Sequence, residues 1–144
     1  MTKKLLYFLS PRHNRSAIAE AWSEKSGLVN WIFKSGGWKA CMRDPLSVKA
    51  MREVNIDLTN KPTDFLNDDM LEAATYIVAI YDLDTNTEPP LSPKLKHKLV
   101  TWNIQDPVRS AKSQGEMWTN YQEVCDLIAE NVKHLESSLK LADP

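Results

Sequence analysis

Ser10, Arg12, His13, Asn14, Arg15 and Ser16 crowd into one short stretch directly behind an apolar run. The stretch reads Tyr7-Phe8-Leu9-Ser10-Pro11-Arg12-His13-Asn14-Arg15-Ser16: a hydrophobic strand, a polar loop, then a helix start. Backbone N–H groups and a helix N-terminus converge at such a junction, and an arginine closes it. The chemistry that fits is the binding of a phosphate-like oxyanion. Arg15 would hold phosphate or arsenate through two parallel charge-assisted bonds. Ser16 would cap the helix or bond the group at position 10. Arg12 and His13 add positive potential and compensate for Pro11, which removes one backbone donor. The competing reading is an ordinary N-cap beside solvated side chains.

Ser10 stands where a pocket of this shape usually carries a cysteine. A thiol ionises near pH 8.5, and a helix N-terminus with an arginine lowers it into the thiolate range. A serine hydroxyl ionises far higher and needs an adjacent base. His13 is the nearest base in sequence, but nothing in the loop orients its ring as a triad would. Asp106-Pro107 follows the last strand. An aspartate there would face the pocket and could protonate a leaving oxygen, although Asp-Pro also simply marks turns. The run from Asp82 to Glu88 resembles the start of a calcium loop. It lacks the glycine and the closing glutamate that calcium needs, so it reads as a solvated loop. Cys41 and Cys125 form no metal or CxxC motif. Most of the five tryptophans read as core rather than as a stacking surface.

The elements that must position these residues follow from periodicity. The continuous apolar run 5–9 is a strand buried on both faces. Residues 16–25 form a helix with Ile18, Ala21 and Trp22 on one face and Gly27 as its stop. A second strand covers 31–35. Asp44-Pro45 starts a helix that carries Val48, Met51 and Val54 inward. Residues 67–74 are a short helix, 76–81 the central strand, and 82–95 a polar loop. A fourth strand spans 98–104, and 115–139 form a long amphipathic helix. The order β-α-β-α-α-β-β-α argues an α/β fold, one domain with a parallel sheet and helices on both faces. Residues 1–140 make that domain, and 141–144 are a tail. Ligands of such sheets sit beyond the carboxyl ends of the strands.

Composition narrows the field. The chain has 144 residues, 42% apolar and 26% charged, with a net charge of −1. No global field favours nucleic acid or a membrane. No apolar window is long enough to span a bilayer, and the N-terminus lacks the cleavage site of a signal peptide. The expectation is a cytoplasmic protein with no metal and no cofactor; its oligomeric state is open.

The chain resembles the thioredoxin-coupled arsenate reductases, relatives of the low-molecular-weight tyrosine phosphatases. The likeness runs from about Lys4 to Leu139. It rests on Tyr7-Phe8-Leu9, Arg15-Ser16, Ala19-Glu20-Ala21-Trp22, Ser35-Gly36-Gly37, Pro45 with Val48-Lys49-Ala50-Met51, Val54-Asn55-Ile56-Asp57, Ile77-Val78-Ala79, and Trp102 with Asp106-Pro107. It implies a four-stranded parallel sheet, Arg15 as the oxyanion grip and Asp106 as the general acid. It also implies a loop of cysteine, five residues and arginine; here the loop is Ser10, four residues and Arg15. The family's two relay cysteines would fall at 81–88, where this chain has none. Three functions follow. The first is a catalytically impaired relative that binds an oxyanion or a phosphorylated protein through Ser10, Arg12, His13, Asn14, Arg15 and Ser16. The second is a hydrolase that uses Ser10 with Asp106. The third is an interaction module with a collapsed pocket.

Overall fold

The computed structural model describes residues 3–85 and 88–142. Strands β1 (Lys4–Ser10), β2 (Trp31–Gly37), β3 (Tyr76–Tyr81) and β4 (Leu99–Asn103) form one sheet in the order β2-β1-β3-β4, and every pairing is parallel. Helices α1 (Arg15–Glu24), α2 (Pro45–Arg52), α3 (Asp68–Ala73) and α4 (Gln114–Ala142) connect and flank them. α4 includes the helix expected over 115–139 and extends beyond it at both ends.

Period-two alternation in β1 explains the two cores. Leu6 and Phe8 enter one cluster with Ile18, Met51, Ile128 and Val132, under α1, α2 and α4. Tyr7 and Leu9 enter a second cluster with Leu71, Ile77 and Leu95, on the face of α3. A strand buried on both faces has no polar position to spare, which is why 5–9 is continuously apolar. No helix among the described residues is long and apolar enough to cross a membrane.

Two local expectations change. Val54 lies beyond the end of α2 and is exposed. Asn55 takes a left-handed φ of 63°, which turns the chain so that Ile56 is buried in its place. The segment 82–95 is not all loop: Leu83–Thr85 and Pro93–Lys98 are short 3-10 helices, and the second buries Leu95. Gly27, at φ 74°, sits just past the end of α1 as a stop should.

All four strands point their carboxyl ends the same way, so the segments after β1, β2, β3 and β4 gather at one edge. The chain moves from β1 outward to β2, then returns to β3 on β1's other side. The loop after β1 is therefore at the switch point, where α/β sheets bind ligands. Gly37 at the end of β2 lets that loop come close. A Cβ there would lie 2.9 Å from the His13 nitrogen and 3.0 Å from the Ser10 carbonyl.

Candidate functional site

A cleft of about 260 Å³ opens at this edge. Ser10, Arg12, Asn14 and Arg15 line it from the first loop, Lys39 and Asp44 from the second, Thr85 from the third and Asp106 from the fourth. Ser10 is its floor and rests on the buried Ser16. Ser16 Oγ donates to the Gly36 carbonyl at 3.1 Å, so the 2.7 Å contact between Ser10 Oγ and Ser16 Oγ must use the proton of Ser10. Ser10 Oγ also accepts the Ser16 N–H at 3.0 Å. The hydroxyl thus keeps one lone pair for the cleft and hands its proton to another hydroxyl, not to a base. Ser16 is fully buried beneath it and does not cap α1; Asn14 holds the N-cap position without a side-chain cap.

Arg15 forms the wall. Its Nη1 donates to the Ile104 carbonyl at 2.7 Å, and the rest of the guanidinium has no hydrogen-bond partner among the described residues. Burial lowers its pKa, against the opposing pull of Asp106 and Asp82. The amides of Arg12, Asn14 and Arg15 likewise bond no described residue, whereas the loop's carbonyls are engaged elsewhere. The Pro11 carbonyl accepts from Trp38 and Lys39 at 3.2 and 2.8 Å, and the His13 carbonyl accepts from Arg43 Nη1 at 2.5 Å. In a trans peptide the N–H points opposite to the C=O. The Arg12 amide is therefore aimed away from Trp38 and Lys39, and the Asn14 amide away from Arg43.

His13 does not line the cleft. It is 3% exposed; its Nδ1 accepts the Asp64 N–H at 2.9 Å and its Nε2 meets Ser35 Oγ at 2.7 Å. With both ring nitrogens occupied, it cannot serve Ser10 as a base. Asn14 reaches sideways instead, to the Met42 carbonyl at 3.0 Å and the Asp44 N–H at 3.0 Å. Arg12 is exposed at the rim.

Asp106 reaches the cleft because Asp82 holds its backbone. Asp82 is buried and accepts the Asp106 N–H at 3.0 Å, the Asp84 N–H at 3.0 Å and Arg109 Nε at 2.7 Å. The expectation of a solvated Asp82 is thus corrected. Residues 86 and 87 of the loop weighed for calcium lie outside the described residues. Burial pushes the Asp82 carboxyl up, but the two amides and Arg109 outweigh it and hold it below its ordinary value. The folded pKa lies below the unfolded one of about 3.9. Its stabilisation is therefore complete above that pH and is lost as the pH falls from there through the lower folded value. Arg109 is largely exposed and screened, so the amide bonds carry most of the effect. Asp82→Ala is expected to cost about 2–4 kcal/mol in chemical denaturation at neutral pH. An unchanged midpoint would remove Asp82 from this role.

Lys39, Asp44, Ser47 and Thr85 were not singled out as cleft residues by the sequence reading, and Asp44 only as an N-cap. It is that cap, accepting the Leu46 N–H at 3.0 Å. Burial raises its carboxyl pKa, with Asp106 adding to the rise and the Leu46 amide and Arg12 opposing it. The cysteines lie elsewhere. Cys41 bonds the carbonyls of Lys39 and Asp64 at 3.2 and 3.4 Å. Burial, with Asp64, raises its pKa. Cys125 is in the core, where burial pushes its thiol up to about 12. No group of three or more His, Cys, Asp or Glu side chains among the described residues could hold a metal ion.

No family model matches the chain. An arsenate reductase of Oceanobacillus iheyensis is 35% identical over 137 residues, spanning 92% of this chain and 95% of that protein. An arsenate reductase solved in its phosphate-binding state superposes with a TM-score of 0.75 at 20% identity, covering 94% of this chain and 98% of that one. The YwlE arginine phosphatase, solved as a cysteine-to-serine mutant with its active-site serine phosphorylated, gives 0.74 at 21% identity, covering 94% and 95%.

Proposed function

The chain belongs to the arsenate reductase family, and from that premise we propose that it grips an oxyanion at residues 10–16 without thiol chemistry. The observation that carries this reading is Arg15: a largely unpartnered guanidinium in an open cleft, over a floor where serine replaces the nucleophile. Phosphate or arsenate would accept from Arg15 and from the Arg12, Asn14 and Arg15 amides, at the positive end of α1. Ser10 would offer at most a weak contact, since its proton is committed to Ser16.

Thiol-dependent reduction has no starting point. Position 10 has no sulfur, Cys41 and Cys125 both carry raised pKa values, and neither lines the cleft. An open cleft supports grip over a collapsed pocket. The ligand is free phosphate or arsenate, or a phosphorylated protein. The hydrolase reading draws support from one neighbour, whose active-site serine is phosphorylated. Against it stands the missing base: Ser10 hands its proton to a hydroxyl, and His13 is committed elsewhere.

Titration calorimetry with phosphate, arsenate and a phosphotyrosine peptide tests the reading alongside an aryl phosphate assay. Saturable heat with at least one ligand and no aryl phosphate turnover are expected. Silence with all three ligands would sink the grip. Turnover lost in both Ser10→Ala and Asp106→Ala would establish the hydrolase instead.

A further inference from the structure

We propose that His13 is a positioning residue of the anion loop: its imidazole, bonded on both nitrogens behind the cleft, sets the backbone turn that frees the neighbouring amides. The proposal rests on the oxyanion reading of residues 10–16 and deepens it. His13 has φ 64°, a left-handed conformation that a non-glycine residue adopts only when its surroundings hold it there. No glycine is present between Ser10 and Ser16 to take that conformation freely.

What holds it is a directional chain of donors. The Asp64 amide can only donate, so Nδ1 must be unprotonated, and the ring proton is on Nε2. Nε2 then donates to Ser35 Oγ, and the Ser35 hydroxyl donates to Glu20 Oε1 at 2.5 Å. Lys61 closes the chain with its ammonium on Glu20 Oε2 at 2.7 Å, and it also reaches Glu24 at 2.7 Å. Each link permits only one direction, so the ring has a fixed tautomer and a fixed orientation. Arg43 pins the same residue from the backbone side through the His13 carbonyl. That bond turns the 13–14 peptide so that the Asn14 N–H faces away from Arg43.

The charged groups around the imidazole are Arg43, Lys61, Asp64 and Glu20. Burial, reinforced by Arg43 and Lys61 against Asp64, lowers the imidazole to about 4. The ring is thus neutral at neutral pH, and the unprotonated Nδ1 that Asp64 needs is available there. Because the folded pKa lies below the unfolded value of about 6.5, stability falls as the pH drops from there towards 4.

The test compares wild type, His13→Ala and His13→Asn. It measures inorganic phosphate affinity by calorimetry, and the ring nitrogens and the 12–15 amides by NMR. In wild type the imidazole should hold the Nε2–H tautomer from about pH 5.5 to 8 with no titration. His13→Ala should weaken phosphate at least about tenfold and shift the 12–15 amides. His13→Asn should recover much of the affinity, because asparagine tolerates left-handed φ and can accept the Asp64 N–H. Unchanged affinity in His13→Ala, no recovery in His13→Asn, or a ring that titrates near 6.5 would each overturn the proposal. If wild type binds no phosphate, the oxyanion reading fails. The loop amides then decide: unchanged shifts in His13→Ala overturn the positioning role, and changed shifts support it. Should His13→Ala not fold, Ser35→Ala takes its place. It removes the acceptor of Nε2–H together with the Ser35–Glu20 link of the chain and leaves the imidazole in place, and the same loss of phosphate affinity is expected.

Discussion

Arg15→Ala is expected to weaken phosphate binding about a hundredfold, which is roughly the worth of charge-assisted hydrogen bonds in a partly buried cleft. One guanidinium nitrogen is already tied to the Ile104 carbonyl, which fixes the fork and directs the remaining donors. Little conformational freedom is then lost when an anion arrives, so most of the contact appears as affinity. Asp106 and Asp82 lie close enough to support the cation electrostatically. Removing Arg15 leaves Asp106 in the cleft beside the anion without that cation, and the loss exceeds that of the hydrogen bonds alone. Arg15→Lys keeps a point charge without the fork and should recover only part of the loss. The substitution also strips the Ile104 carbonyl of its donor. Calorimetry should therefore be paired with thermal unfolding, to separate a ligand effect from a folding one. Phosphate affinity within a few-fold of wild type would mean that Arg15 is a structural strut.

Ser10→Cys should convert the floor of the cleft into an activated thiol. The sulfur would accept the Ser16 N–H, and the Ser16 hydroxyl would turn its proton from the Gly36 carbonyl to the sulfur, at the N-terminal end of α1 and beside Arg15. Each of these favours the thiolate, so the introduced thiol should titrate clearly below the free value of about 8.5. At neutral pH iodoacetamide should alkylate position 10 well before Cys41 or Cys125, both of which have raised pKa values. Phosphate should protect it. The measurement is peptide mass spectrometry over a time course. A thiol that reacts no faster than Cys41, or that phosphate does not protect, would mean that the loop no longer focuses positive potential on position 10. Arsenate reduction should not return with this change alone, because residues 81–88 carry no relay cysteine.

The fold was readable where one residue type served one purpose. The apolar run 5–9 fits a strand covered on both faces, and Asp44-Pro45 supplies both the N-cap and the first-turn proline of a helix. Short-range signals failed where the deciding partner is distant in sequence. Asp82 reads as a loop aspartate, yet Asp106 and Arg109 reach back across β4 to bury it. His13 reads as one more cation in a basic loop, until Asp64 and Ser35 are seen to hold its ring from behind. Val54 matches the apolar period of α2, but the left-handed turn at Asn55 gives its place to Ile56. Lys39 and Asp44 enter the cleft only because β2 lies next to β1, a pairing that periodicity does not specify. Ser10, Arg15 and Asp106 were locatable because each lies at, or in the segment following, the carboxyl end of a strand, and parallel order brings those ends together.

The most direct measurement is the structure of the wild-type protein crystallised with arsenate or phosphate at millimolar concentration. One tetrahedral anion is expected within hydrogen-bond distance of the Arg15 guanidinium and the Arg12, Asn14 and Arg15 amides, above Ser10 and with no covalent bond to it. An empty loop with its amides turned apart would contradict the account, as would an anion bound elsewhere while Arg15 points only at Ile104.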